Sequence, residues 1–302
     1  MQLIYKHKII TKLNENNYSD ATTSIYQSWI LRFIDYHHLT PEQYKISHIF
    51  EYLSSLAPLN FRPSTYNQAL NAVVFFYNKV LKITISKAYV SDLRLSHSKN
   101  PPEILSKKQI DSIIYHLKGA YQLLAHLLFG CGLRSSEVLA LKIKDINLVK
   151  NQLTVSNPQY FRTLSIPSKI TDKINSQIDF VKTLYINDSK SKFFQKIPIE
   201  NIYLFPMKQL CNNDDGKLIR LPIIGNTLNY NITTATKKTS IAFKVTAQTF
   251  RYSYAVRLLQ NQINIKTLQK LLGHQHASST LVYAQIAQQI SKHKHLSTLD
   301  LE

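Results

Sequence analysis

Residues 246–283 read TAQTFRYSYAVRLLQNQINIKTLQKLLGHQHASSTLVY, and this stretch predicts three short consecutive helices. Thr246 is a good N-cap, and the helix it starts puts Gln248 and Arg251 three residues apart on one face. A second helix runs from Asn264 to Gly273, with Ile265, Leu268, Leu271 and Leu272 at helical spacing and Gly273 as its left-handed stop. The third opens near Ser278 or Ser279 and carries Tyr283 on its first or second turn. Arg251, His274 and Tyr283 thus sit on successive segments from which their side chains can converge.

Upstream, Gly132-Leu133-Arg134-Ser135-Ser136-Glu137 opens another helix, followed by Leu139, Leu141 and Asp145. Arg134 alone has two readings. Beside the backbone N–H groups of a helix N-terminus it suits an anion. As a surface pair with Glu137 it contributes little.

Together the two stretches resemble the tyrosine recombinases, the phage integrases and their bacterial relatives. That family's second box is a His-x-x-Arg helix, a Leu-Gly-His turn and a nucleophilic tyrosine nine residues on; here those places hold Gln248, Arg251, Leu272-Gly273-His274 and Tyr283. Its first box, Gly-Leu-Arg-x-x-Glu, matches Gly132 to Glu137. The resemblance implies a mainly α fold with a small β-sheet: an N-terminal helical core-binding domain, then a catalytic domain of the DNA breaking–rejoining type. It implies an enzyme, a site-specific recombinase or integrase of a mobile element, that cuts and rejoins DNA through a covalent 3′-phosphotyrosyl intermediate. The implied catalytic set is Arg134, Gln248, Arg251, His274 and Tyr283, with Glu137 and Arg162 in support. The implied partners are double-stranded recombination sites and further copies of the chain in a tetrameric synapse, with no cofactor.

The residue types fit that chemistry. A tyrosine can attack phosphorus and store the bond energy in a covalent link. Two guanidinium forks can neutralise charge developing on the non-bridging oxygens. A histidine can hold a phosphate oxygen or help deprotonate the tyrosine. Glu137 reads as a carboxylate that orients Arg134 or caps its helix. Tyr252 and Tyr254 read as packing, and His276 as surface.

Two departures from the family stand out. Asn151–Ser156 and Thr163–Pro167 alternate as a hairpin, with Leu153, Val155, Leu164 and Ile166 on one side. The family's hairpin turn carries a general-acid lysine; this turn, Asn157 to Arg162, has none, and Asn157 or Gln159 takes its place. Arg162 is the only cation there, and its pKa is too high for efficient proton donation. Gln248 stands where the family has histidine and can donate to a phosphate but not shuttle protons. Reduced activity follows, and with it an alternative: a recombinase-derived DNA-binding protein with weak or no strand cleavage.

Composition points the same way. The chain of 302 residues allows roughly two domains. Its net charge is +19 and its pI about 9.7, a balance that suits an acidic polymer or membrane surface. From Gly216 to Leu299 there is no Asp or Glu, while Lys237, Lys238, Lys244 and Arg257 lie inside. That asymmetry favours a phosphate backbone, and Arg62 in the N-terminal half joins these four as a DNA-contact candidate. Cys131 and Cys211 stand alone without metal-ligand spacing, so no metal site is expected. The start, MQLIYKHKII, does not read as a secretory signal, and the apolar run Tyr121–Leu133 is too short for a bilayer, so a soluble cytoplasmic protein is expected.

Along the chain, residues 1–95 read as about four helices. Ala21–His37 has the stripe Ile25, Trp29, Ile30, Phe33, Ile34. Pro41–Leu56 carries Ile46, Ile49, Phe50 and Leu53, and a helix capped by Ser64 or Thr65 follows. Residues 96–104, with Pro101-Pro102, read as a linker, and 105–302 as the catalytic domain. There, Ser106–Leu117, Tyr121–Phe129 and Ile170–Lys190 read as helices, residues 201–206 as a short strand, and the stretch onward to Lys244 as a long loop. Extra residues after Phe205-Pro206, and the segment TYNQALNAVVFFYNKVLKI, are similar to integron integrases. The tail after Tyr283, with Ile286 and Ile290 on one side, reads as docking into a neighbouring subunit or packing on its own domain.

Overall fold

The computed structural model describes residues 2–96, 101–157 and 160–294, and the chain divides into two units, Met1–Asn100 and Pro101–Glu302. In the first, α1 (Gln2–Glu15), α2 (Asp20–His37), α3 (Ser47–Ser55), α4 (Pro63–Phe75) and α5 (Lys87–Leu93) follow in order. α2 begins where Ser19 Oγ accepts the Thr22 N–H at 3.3 Å. Its face Trp29, Ile30, Phe33 and Ile34 is buried with Ile49, Leu53, Leu70, Val73 and Tyr77. Tyr77 satisfies its buried hydroxyl by donating to the Lys45 carbonyl at 2.8 Å.

Several expectations for this unit change. Among the described residues the α-helices number five, because Gln2–Glu15 and Lys87–Leu93 are helical besides the three stretches named from the sequence. Pro41–Gln43 is a single 3-10 turn and α3 begins only at Ser47, so Ile49 and Leu53 are buried while Ile46 and Phe50 face solvent. Ile25 is exposed as well. Arg62, not Ser64 or Thr65, is the N-cap of α4, because Pro63 takes the first helical position, where no N–H is needed.

The second unit contains α6 (Lys107–His116), α7 (Ala120–Gly130) and α8 (Ser135–Ala140), then the antiparallel sheet β1 (Ile146–Asn147), β2 (Gln152–Asn157), β3 (Tyr160–Ser165). After α9 (Thr171–Asp188) come the short pair β4 (Cys211–Asn212) and β5 (Leu218–Ile219). α10 (Gly225–Thr236), α11 (Ala247–Gln260), α12 (Ile265–Leu272) and α13 (Ser278–Lys294) complete the described chain. One face of the sheet buries Leu153, Val155, Leu164 and Ile166 in a core shared with Leu124, Leu128, Val138, Leu204 and Phe250. A smaller core under α11, α12 and α13 holds Val256, Leu268, Leu272, Tyr283 and Ile286.

Corrections here have local causes. Tyr160 already pairs with Asn157, so Arg162 lies within β3 opposite Val155 and not in a loop. Gln159 and residues 97–100 of the expected linker lie outside the described residues. Residues 201–206 form no strand; Leu204 N–H donates to Leu141 O at 2.7 Å and Ile223 N–H to Phe205 O at 2.9 Å, so the segment bonds to non-strand neighbours on both sides. The expected long loop contains β4, β5 and α10, whose Leu228, Ile232 and Ala235 are buried in the main core. Through Ile290, α13 packs on its own domain.

Gly132 is the tightest joint. It has φ +63°, and a Cβ there would lie 2.2 Å from the Tyr254 ring. Gly132→Ala should therefore lower stability by at least about 2 kcal/mol, combining backbone strain with overpacking, as read from urea unfolding.

Candidate active site

Arg134 caps α8, and its backbone N–H and Nη1 both donate to Glu137, each at 2.7 Å. A surface pair would leave the acid in water. Here Glu137 is buried, and a second guanidinium, Arg162 from β3, grips the same carboxylate with Nη1 at 3.0 Å and Nη2 at 2.7 Å. A third, Arg251 from α11, stands 3.6 Å from Glu137 Oε2. Bidentate geometry of this kind is what the planar fork favours.

Arg251 is 1% exposed. It donates to Gly132 O and, at 2.7 Å, to Leu272 O, which ties the first box to the end of α12. Arg134 Nη2 donates to the neighbouring Gly273 O at 3.2 Å. Burial first, then the Arg134 charge, lowers Arg251 to about 10, which leaves it a cation at neutral pH. Gly273, with φ +61°, turns the chain so that His274 faces back into this group.

His274 Nε2 lies 3.1 Å from Arg251 Nη2, and its Nδ1 lies 2.9 Å from Thr280 Oγ1. The ring stacks on Tyr283 with centroids 5.9 Å apart and planes 18° from parallel. Burial, then the charges of Arg251, Arg134 and Arg162, lowers His274 to about 4, so the ring is neutral near pH 7. Tyr283 is 4% exposed, beside Tyr252 at 5.6 Å. Burial raises its pKa, while the Arg251 charge and a hydrogen bond from Arg251 pull it back down.

Five of the residues singled out in sequence, Arg134, Glu137, Arg251, His274 and Tyr283, thus meet in one place, and Arg162 joins them through Glu137. Gln248 is exposed on the first turn of α11. Arg62, Lys237, Lys238, Lys244 and Arg257 are all exposed, whereas Arg220 is drawn inward by Asp188 at 2.6 Å. His276 is at the surface and Tyr254 packs on Gly132, as expected. Sequence reading missed Thr280, which is 1% exposed, and Gln269, whose Nε2 donates to His274 O at 3.1 Å. The spacing of Thr280 one turn before Tyr283 was the signal available for it.

Residues 103–290 match the model of the phage integrase family, and residues 7–87 match the phage integrase N-terminal SAM-like domain. The chain belongs to the phage integrase family. Among similar proteins, an integrase/recombinase of Escherichia coli is 27% identical over 303 residues, covering 92% of this chain and 89% of that one. The tyrosine recombinase XerA of Pyrococcus furiosus is 29% identical over 201 residues, covering 64% of this chain and 62% of that one. This family member also shares its fold with the Tn1549 transposon integrase in complex with transposon right-end DNA, at a TM-score of 0.65, 16% identity and coverage of 97% and 99%. The XerH recombinase bound to difH gives 0.63, 16%, 94% and 88%. No described helix of this integrase-family chain is long and apolar enough to cross a membrane.

Two measurements test the geometry. Arg162→Leu leaves Glu137 less compensated and should cost about 3–5 kcal/mol in urea unfolding, with the Glu137→Gln/Arg162→Leu double variant falling well short of the sum of the single changes. An NMR titration of His274 in the free protein should show a midpoint near 4 instead of the usual 6.5. With the folded value below the unfolded one, the unfolded chain binds more protons between them. This histidine's contribution to stability is complete above 6.5 and is lost as pH falls toward 4.

Proposed function

We propose that this protein is a site-specific tyrosine recombinase that breaks and rejoins DNA strands through a 3′-phosphotyrosyl intermediate. The observation that carries this reading is the convergence of Tyr283, His274 and Arg251, from three consecutive segments, on the Arg134–Glu137 pair of a distant one. Arg134 and Arg251 would grip the non-bridging oxygens, a load that costs little reorganisation because both forks are already fixed. A phosphate that takes Arg251 Nη2 releases His274 Nε2 to accept the Tyr283 proton. The tyrosine oxygen then bonds to phosphorus, the bond to the 5′-oxygen breaks, and that oxygen takes a proton from water. Arg162 is turned onto Glu137 and donates no proton in this scheme.

Gln248, exposed on the first turn of α11 three residues before Arg251, would add a donor to the phosphate. Arg62, Lys237, Lys238, Lys244 and Arg257 would contact the backbone of duplex DNA. Paired copies on recombination sites would build a four-subunit synapse, and any segment exchanged between them must lie beyond Ile290, which packs at home. The likeness to integron integrases rests on the extra residues after Phe205-Pro206, part of which form α10, and on the segment TYNQALNAVVFFYNKVLKI. A cytoplasmic setting fits a DNA substrate.

The alternative, a DNA-binding protein without strand cleavage, is favoured by the hairpin's lack of lysine and by Gln248. A duplex nicked near its cut site separates the two. The recombinase reading expects a covalent protein–DNA adduct that is absent in Tyr283→Phe and forms about a hundredfold more slowly in Arg134→Lys. Tight binding with no adduct from the wild-type protein would establish the alternative.

A further inference from the structure

We propose that Thr280 is a positioning residue of this site: from the helix that carries Tyr283, its hydroxyl holds the Nδ1 proton of His274 and thereby keeps the Nε2 lone pair turned toward Arg251. The inference rests on the recombinase reading for its consequence, though not for its geometry.

Arginine has donors and no acceptor, so the His274 nitrogen 3.1 Å from Arg251 Nη2 must present its lone pair. A neutral imidazole carries one proton, which is then on Nδ1, 2.9 Å from Thr280 Oγ1. Placed on Nε2, the same proton would face a donor and leave Nδ1 to accept from the threonine. Every neighbouring element agrees on a neutral ring: Arg251 from α11, Arg134 at the start of α8 and Arg162 from β3 disfavour the imidazolium, with only Glu137 of α8 opposing them and Tyr283 of α13 stacked on the ring face. With the charge state settled by those groups and the acceptor nitrogen set by Arg251, Thr280 is the acceptor that holds the remaining Nδ1 proton and, through it, the ring.

The rest of the histidine is held from the other side. Its backbone N–H donates to Gln269 O and its carbonyl accepts from Gln269 Nε2, both at 3.1 Å, so α12 fixes the main chain while α13 fixes the ring. Thr280 and Tyr283 are three residues apart on α13, hence on one face, and both are almost fully buried. Undocking α13 therefore withdraws the nucleophile and the anchor of its base together. The base is primed only when a tyrosine-bearing helix is seated.

Thr280→Val and Thr280→Ser test this. The first keeps the shape and removes the acceptor; the second restores the hydroxyl. On ¹⁵N-labelled, DNA-free protein, the imidazole nitrogen shifts of His274 should report the Nδ1–H form in the wild type and in Thr280→Ser, with the Nε2–H form rising in Thr280→Val. On the nicked duplex, adduct formation should slow at least about tenfold in Thr280→Val and recover in Thr280→Ser, within the span that a proton-transfer group supplies. DNA binding and thermal unfolding are followed in parallel, so that a misfolded variant is recognised and the judgement then falls on the wild-type tautomer. A wild-type His274 protonated on Nε2, or a folded Thr280→Val with the wild-type rate and pH profile, overturns the proposal. Absence of adduct from the wild type sinks the recombinase reading instead, and the tautomer measurement still decides the role of Thr280.

Discussion

A single buried carboxylate holds this site together. Glu137 receives the cap residue of its own helix, a bidentate grip from β3 and the approach of the α11 arginine. Three cations around one anion leave a surplus of positive charge in a place largely closed to water. Taking those charges out of solvent is expensive, and the mutual attraction of one acid with three bases offsets only part of it. The remainder is available to an anion that arrives later. A phosphate is the kind of ligand such an imbalance favours.

The same charges set the states of the other two groups. His274 is neutral because burial and three guanidiniums oppose its proton. Tyr283 is pulled two ways, up by burial and down by Arg251, so it stays protonated at rest. One arginine fork therefore does three jobs: it ties Gly132 to Leu272, it fixes which histidine nitrogen is the acceptor, and it tempers the phenol. This explains why it is the largest fully buried side chain of the described residues, an unusual place for a cation.

How far the sequence disclosed this varies with the physics involved. Helices with a strong cap and an apolar stripe were legible: Asn264 and Gly273 bound α12 as expected, and Ser106 starts α6 with a capping box. α10 was not, because GNTLNYNITTAT is built from weak helix formers, and its existence depends on Leu228, Ile232 and Ala235 reaching the core. The helix start at Ser47 was hidden by an apolar Ile46 and Phe50 that face solvent. In the site, the resemblance to the two family boxes located Arg134, Arg251, His274 and Tyr283. The contact of Thr280 with His274 and the burial of Glu137 were not legible, because both depend on which segments the fold brings opposite each other.

Arg162 shows how one register decides a chemical role. Read as a loop residue it is a free cation near the reacting phosphate. Paired opposite Val155 in β3, it shares the inward face with Leu164 and Ile166, and its charge is committed to Glu137. A shift of one residue would reverse the alternation and send the guanidinium to solvent, leaving Glu137 with Arg134 and Arg251 alone. The carboxylate would then compete with phosphate for those two forks. By occupying both oxygens of Glu137, Arg162 keeps that competition in check, so a hairpin without a lysine still sets the charge balance of the site.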